Sequence, residues 1–268
     1  MLPHLYSGTT QTGSGKSTLI KVILSSIVNN YPNTQLILLD YKRVELANFK
    51  CTKSCIQFEW SEEGISQALD DLLTLVLQRY EILESKGMTE ADYKMSNIVC
   101  VIEEISLMPK KDMKVLRKIM AISRAVHIYV IFSTQRPSNE VLDNTVKSLV
   151  GNRICLKTDD SKNSVIALDK EGCELLKNRG QGFIKSNGYI TEFQSYYISD
   201  EVVKDICSRH TGKSKGLITA SDKIIVPPNE VLTPPELIYT DSRSYTIDVV
   251  DIDRNNITGN DDEWLNKL

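Results

Sequence analysis

The chain has 268 residues, 41% hydrophobic and 25% charged. That is ordinary globular usage, and it excludes a collagen-like, disulfide-scaffold or wholly disordered chain. The formal net charge is −3, so bulk charge points to no nucleic acid, and the acidity is concentrated from Lys215 onward. No apolar run approaches the roughly 18 residues of a membrane-spanning helix. The start MLPHLYSGTT lacks the basic region and apolar run of a signal peptide. A cytoplasmic protein is therefore expected, meeting membranes only through partners. Of the six cysteines only Cys51 and Cys55 lie close together. No second pair completes a zinc pattern, which predicts reduced thiols.

In chain order, His4–Ser7 reads as a very short first strand. Ser17–Asn30 reads as a helix burying Leu19, Ile20, Ile23, Leu24 and Ile27. Gln35–Asp40 (QLILLD) is a buried strand. Ser61 can cap a long helix that runs to about Lys86, with Glu62 and Glu63 in its first turn and Gly87 as its stop. Ile98–Ile102 is a second buried strand, Lys110–Ala125 an amphipathic helix rich in Lys and Arg, and His127–Ser133 a further strand ended by Pro137. Arg153–Lys157 reads as a strand, Asp159–Leu168 as a helix, and Gly182–Phe193 as a hairpin turning at Asn187-Gly188. The alternation predicts an α/β fold, a mostly parallel central sheet flanked by helices. After about Arg209 the texture changes to a polar linker, two Pro-Pro pairs and many Asp and Asn residues. Residues 1–210 are thus expected to form one domain. Residues 211–268 are expected to be an acidic tail, disordered or docked on a partner through Val226–Ile238 or Trp264-Leu265.

Gly13-Ser14-Gly15-Lys16-Ser17-Thr18 lies between a strand and a helix. Main-chain N–H groups of such a turn cradle phosphates, and the helix N-terminus adds its positive dipole. Lys16 would reach the β- and γ-phosphates of ATP, and the Ser17 hydroxyl would bind Mg²⁺. The pattern asks for glycine six residues before the lysine, where Thr10 stands, with Gly8 two residues earlier. Either the loop is longer or Thr10 takes a strained backbone. Glu103 and Glu104 follow the strand Ile98–Ile102, at the carboxyl edge where α/β proteins bind ligands. Glu104 is the candidate base for the attacking water, and Glu103 the candidate Mg²⁺ ligand. Gln135 ends the neighbouring strand, placed to sense the γ-phosphate or position water.

Several separated segments together resemble the FtsK/SpoIIIE-type DNA translocase motor domain. LPHLYSGTTQTGSGKST is similar to its Walker A region, LILLDYKRVELANF to its Asp-x-Lys-x-x-Glu-Leu segment, IVCVIEEISLM to its Walker B strand and SRAVHIYVIFSTQRPS to its Thr-Gln-Arg-Pro motif. LVGNRICLKTDDSKNSVIALD and EGCELLKNRGQGFI extend the likeness to about residue 200. The resemblance implies a RecA-like P-loop fold and a homo-oligomeric ring, a hexamer, that hydrolyses ATP to pull double-stranded DNA through its pore. It implies an arginine donated to the neighbouring subunit's site, with Arg79 of LQRYEIL first and Arg124 second. It also implies phosphate contacts from Lys110–Arg117 or Lys42-Arg43. Small relatives of this kind resemble coupling proteins of conjugative elements or phage-encoded motors, which implies a role in conjugative transfer or DNA segregation with membrane or relaxase partners. Two other readings stay open: a type VII secretion-like ATPase moving protein, and a nucleotide-binding assembly subunit with little turnover.

Overall fold

The computed structural model describes residues 4–8, 13–89 and 95–212. Thr10 and the acidic tail from residue 213 lie outside them. The described strands are β1 (Leu5–Gly8), β2 (Gln35–Asp40), β3 (Cys55–Glu59), β4 (Ile98–Glu103), β5 (Ile128–Thr134), β6 (Asn152–Leu156), β7 (Gln181–Ser186) and β8 (Tyr189–Gln194). They form one sheet in the order β3-β2-β4-β5-β1-β6-β7-β8. β1 to β6 pair in parallel, and the β7–β8 hairpin is added antiparallel at one edge. The helices are α1 (Lys16–Asn30), α2 (Glu62–Lys86), α3 (Lys110–Ile122), α4 (Asn144–Leu149), α5 (Ser161–Leu168) and α6 (Asp200–Arg209). Among the described residues no helix is long and apolar enough to cross a membrane.

Strands β2 and β4 are apolar along nearly their whole length because both faces are covered, as parallel sheets require. Leu36, Leu38, Val99, Val101, Tyr129 and Ile131 pack with α1 and α6 on one face. Ile37, Leu39, Cys100, Ile102, Val130 and Phe132 pack with α2 and α3 on the other. Helix α2 begins where Ser61 Oγ accepts from Gly64 N at 3.0 Å. Glu62 and Glu63 then sit at the positive end of its dipole, and it stops at Gly87 with φ 58. The β7–β8 turn places Asn187 at φ 50 and Gly188 at φ 84, the two left-handed residues of a type I′ hairpin.

Several elements depart from the sequence reading, the short helix α4 between β5 and β6 among them. Helix α3 ends at Ile122, and Ser123–Val126 tightens into a 3₁₀ turn. There the buried Ser123 hydroxyl donates to Ile128 O at 2.9 Å, and His127 takes φ 59 to enter β5. Strand β3 is only partly buried and pairs on one side alone, so its five residues carry no clear apolar run. Helix α6 was also not anticipated. Its N-cap Ser199 accepts from Val202 N, and Val203, Ile206 and Cys207 pack on the α1 side of the sheet. Just after it, Thr211 bridges Thr52.

Candidate functional site

The chain leaves β1 at Gly8, paired with Thr134 of β5 and Cys155 of β6. A Cβ on Gly8 would stand 1.9 Å from the Tyr6 hydroxyl, so this glycine serves strand packing. Five residues later the Gly-rich turn begins at Gly13, φ 84, and Gly15 takes φ 106 as the N-cap of α1. Both conformations are strained for any residue with a Cβ. Gly15 caps α1 without a side-chain hydrogen bond. The first-turn residues Lys16, Ser17 and Thr18 therefore begin a helix whose N-terminus is built to face an anion. The turn is braced from outside. Gly180 N donates to Ser14 O at 2.8 Å, and a Cβ on Gly15 would lie 3.1 Å from the Gly180 backbone. Sequence reasoning did not place the Arg179-Gly180 turn at the site. The available signal was the glycine pair flanking Gln181 in NRGQGF.

Strand order does the rest. β5 lies between β4 and β1, so its end separates the Gly-rich turn from the two carboxylates and touches both. Lys16 is buried, and its Nζ pairs with Glu103 Oε1 and reaches Ser133 Oγ at 3.4 Å. Ser133 Oγ in turn donates to Glu103 Oε2. Burial pushes the Glu103 carboxyl above its usual range, and the Lys16 ammonium and Ser133 hydroxyl counter this only in part.

Glu104 follows at φ 64, a left-handed conformation costly for a residue with a side chain. Its Oε1 accepts from Ser106 Oγ at 2.7 Å, Thr134 Oγ1 at 2.8 Å and Gln135 N at 3.0 Å. Its Oε2 accepts from Lys42 Nζ at 2.7 Å. Burial alone would raise this carboxyl. The Lys42 ammonium and the Ser106, Gln135 and Thr134 donors outweigh burial and hold it at about 2. Lys42 comes from the loop after β2, which is ordered by the fully buried Asp40. Asp40 accepts from Lys42 N, Arg43 N and Leu46 N, each at 3.0 Å.

Gln135 is thus brought to the site through its main chain, half-buried beside Glu104. Arg79 is not. It is 5% exposed, and its guanidinium donates to Ser96 O at 3.0 Å and Val126 O at 2.7 Å, at the amino ends of β4 and β5. The expectation of an arginine donated from this position to a neighbouring subunit thus meets a side chain that is enclosed in its own subunit, at the sheet edge opposite the Gly-rich turn. Arg124 is exposed on the Ser123–Val126 turn. Lys110, Lys111, Lys114 and Lys118 are exposed on α3, whereas Arg117 is paired with Asp143 at 2.7 Å.

A Gly-rich turn feeding α1, with the end of β5 between it and paired carboxylates on β4, defines a P-loop protein with a RecA-like sheet. Residues 5–184 match the FtsK/SpoIIIE family model, and the chain belongs to that family. The DNA translocase FtsK of Chlamydia muridarum (strain MoPn / Nigg) is 32% identical over 243 residues, covering 78% of this chain and 30% of the relative. The DNA translocase FtsK of Treponema pallidum (strain Nichols) is 31% identical over 220 residues, covering 74% of this chain and 27% of the relative. The chain spans less than a third of the length of these relatives. Among solved structures, the monomer form of the pCW3 conjugation coupling protein TcpA with ATPγS superposes at a TM-score of 0.67. The identity is 22%, over 77% of this chain and 64% of that one. The cytoplasmic domain of the Thermomonospora curvata type VII secretion ATPase EccC also gives 0.67, at 19% identity over 87% of this chain and 30% of that one. At such identities the likeness is one of fold.

Proposed function

We propose that this chain is a motor domain that hydrolyses ATP to move double-stranded DNA, acting as a hexameric ring of identical subunits. One observation carries the reading: a buried lysine on a Gly-rich turn, a buried carboxylate against it and a second, hydrogen-bonded carboxylate beyond meet at the carboxyl edge of one sheet. The relatives' name, DNA translocase, supports DNA as the substrate.

In this reading the main chain of Gly13, Ser14 and Gly15 and the first turn of α1 cradle the phosphates, and Lys16 neutralises the β- and γ-oxygens. The Ser17 hydroxyl and the Glu103 carboxylate are the oxygen donors that would hold Mg²⁺. They fit it, since Ser17 directly follows the lysine that touches Glu103, and Mg²⁺ takes few protein oxygens beside substrate phosphates. When bound, Mg²⁺ supplies charge neutralisation on the phosphate oxygens. Glu104 polarises the attacking water, and Gln135, tied to Glu104 through its N–H, senses the γ-phosphate. Arg124, which is exposed, is a candidate arginine for a neighbouring subunit's site. The exposed lysines of α3 contact DNA phosphates without reading sequence. Residues 1–210 form the motor, and residues 211–268 an acidic tail, disordered or docked on a partner.

The test is the steady-state ATPase rate of the purified chain with and without linear double-stranded DNA over a protein concentration series. Stimulation by DNA that rises cooperatively with concentration is expected. ATP binding without turnover in either condition would replace the motor by a nucleotide-binding subunit.

A further inference from the structure

The two oxygens of Glu104 are used unequally. Oε1 receives Ser106 Oγ, Thr134 Oγ1 and Gln135 N, more donors than the two lone pairs of one carboxylate oxygen. A water to be activated can therefore be taken only at Oε2, and Lys42 Nζ sits there at 2.7 Å. The four donors also differ in what holds them. Thr134 ends β5 and Gln135 directly follows it, and Ser106 belongs to Glu104's own turn. Lys42 reaches in from a separate loop on a long flexible stem. Its side chain is 36% exposed, against 4% for Glu104. The backbone beneath it is fixed, because Asp40 accepts from Lys42 N and Arg43 N. What can move is the side chain.

That loop tip is basic and faces solvent. Lys42 and Arg43 are adjacent and exposed, and Arg43 lies 5.5 Å above the Trp60 ring. An ammonium shared between a buried carboxylate and open solvent is the one donor to Glu104 that an external polyanion can draw away.

We propose that Lys42 is a positioning residue that holds Glu104 at rest, and that a DNA phosphate competing for its ammonium frees Oε2 for the attacking water. The inference rests on the reading of the chain as an ATP-driven DNA motor. It adds a route by which substrate engagement at the loop after β2 is felt at the hydrolytic carboxylate.

The experiment compares wild type, Lys42→Met and Lys42→Arg in steady-state ATP hydrolysis with and without linear double-stranded DNA, with affinity for a fluorescent ATP analogue measured separately. Lys42→Met is expected to keep nucleotide affinity, to turn over roughly fivefold faster without DNA, and to gain little more when DNA is added. Lys42→Arg is expected to restore both the low resting rate and the DNA response. Slower turnover in Lys42→Met under both conditions would overturn the proposal, as would a DNA stimulation ratio equal to wild type. The failure of the underlying reading looks different: a wild type that hydrolyses ATP but ignores DNA removes both the motor and DNA as the competitor.

Discussion

The two ends of the sheet both bury charged or titratable side chains, and they give them different partners. At the carboxyl end two ion pairs join side chains, Lys16 with Glu103 and Lys42 with Glu104, while Asp40 is held by main-chain N–H groups. At the amino end the partners are mainly main-chain groups. Arg79 donates to Ser96 O and Val126 O. His4 Nε2 donates to Met120 O at 2.9 Å, while its Nδ1 accepts from Val130 N at 3.0 Å. A carbonyl inside a strand or turn cannot leave its donor unless the chain unfolds. A carboxylate can exchange a lysine for another ion. The ion pairs at one end can therefore exchange partners, and the other end fixes the frame against which such an exchange would occur.

Substitutions should separate the two ends by what they damage, turnover or stability. The largest effect is expected from Glu104→Gln, which removes the proposed base while keeping the side chain's size. Turnover should fall by about 10²–10⁴ with ATP binding retained, measured by steady-state hydrolysis beside equilibrium binding. A normal rate would move the base elsewhere. Lys16→Ala should lose about 10²–10³ in turnover, and here nucleotide affinity should fall as well, because Lys16 meets the ground-state phosphates. Neither change should lower thermal stability as much as a change at the amino end. Removing Lys16 leaves Glu103 with the Ser133 hydroxyl and a raised pKa, so it can take up a proton in place of its lost partner.

The same contrast explains what can be read from the sequence. β2 and β4 are legible because unbroken apolar runs have few other uses, and α2 because Ser61 and Gly87 mark its ends. The Gly-rich turn is legible because its glycines sit where positive φ is required. Pairings across the sheet are not legible. Arg79 meets Val126, 47 residues away, and Lys42 meets Glu104, 62 residues away. An arginine beside a tyrosine on an amphipathic helix looks alike whether it points outward to a neighbour or inward to a carbonyl. The bracing of the Gly-rich turn by Gly180 joins positions still further apart in sequence, and only the fold brings them together. Helix α6 is a different case. Ser199, its acidic first turn and the spacing of Val202, Val203 and Ile206 carried the signal, and the polar texture just beyond it masked the pattern.

At the amino end, Arg79→Leu should cost about 3 kcal/mol of stability, because the buried Val126 carbonyl and the partly buried Ser96 carbonyl lose their donor. Chemical denaturation of the isolated chain would measure it, and turnover per folded molecule should change little. A dominant loss of activity in mixed oligomers, with stability unchanged, would instead return Arg79 to a role between subunits.

The smallest effect expected is a pH dependence from His4. Burial lowers its pKa from 6.5 to about 4, the Met120 carbonyl offsets this only partly, and Arg124 adds to the lowering. The native state therefore keeps His4 neutral where the unfolded chain would bind a proton. Its contribution is present above about pH 6.5 and is lost as pH falls toward about 4. Between about pH 7 and about pH 5 this one group should remove about 2 kcal/mol. His4→Gln, which keeps a donor and an acceptor without titrating, should flatten that part of the pH–stability profile while lowering stability at neutral pH. An unchanged slope between about pH 7 and about pH 5 in the variant would show that His4 is not the group that sets it.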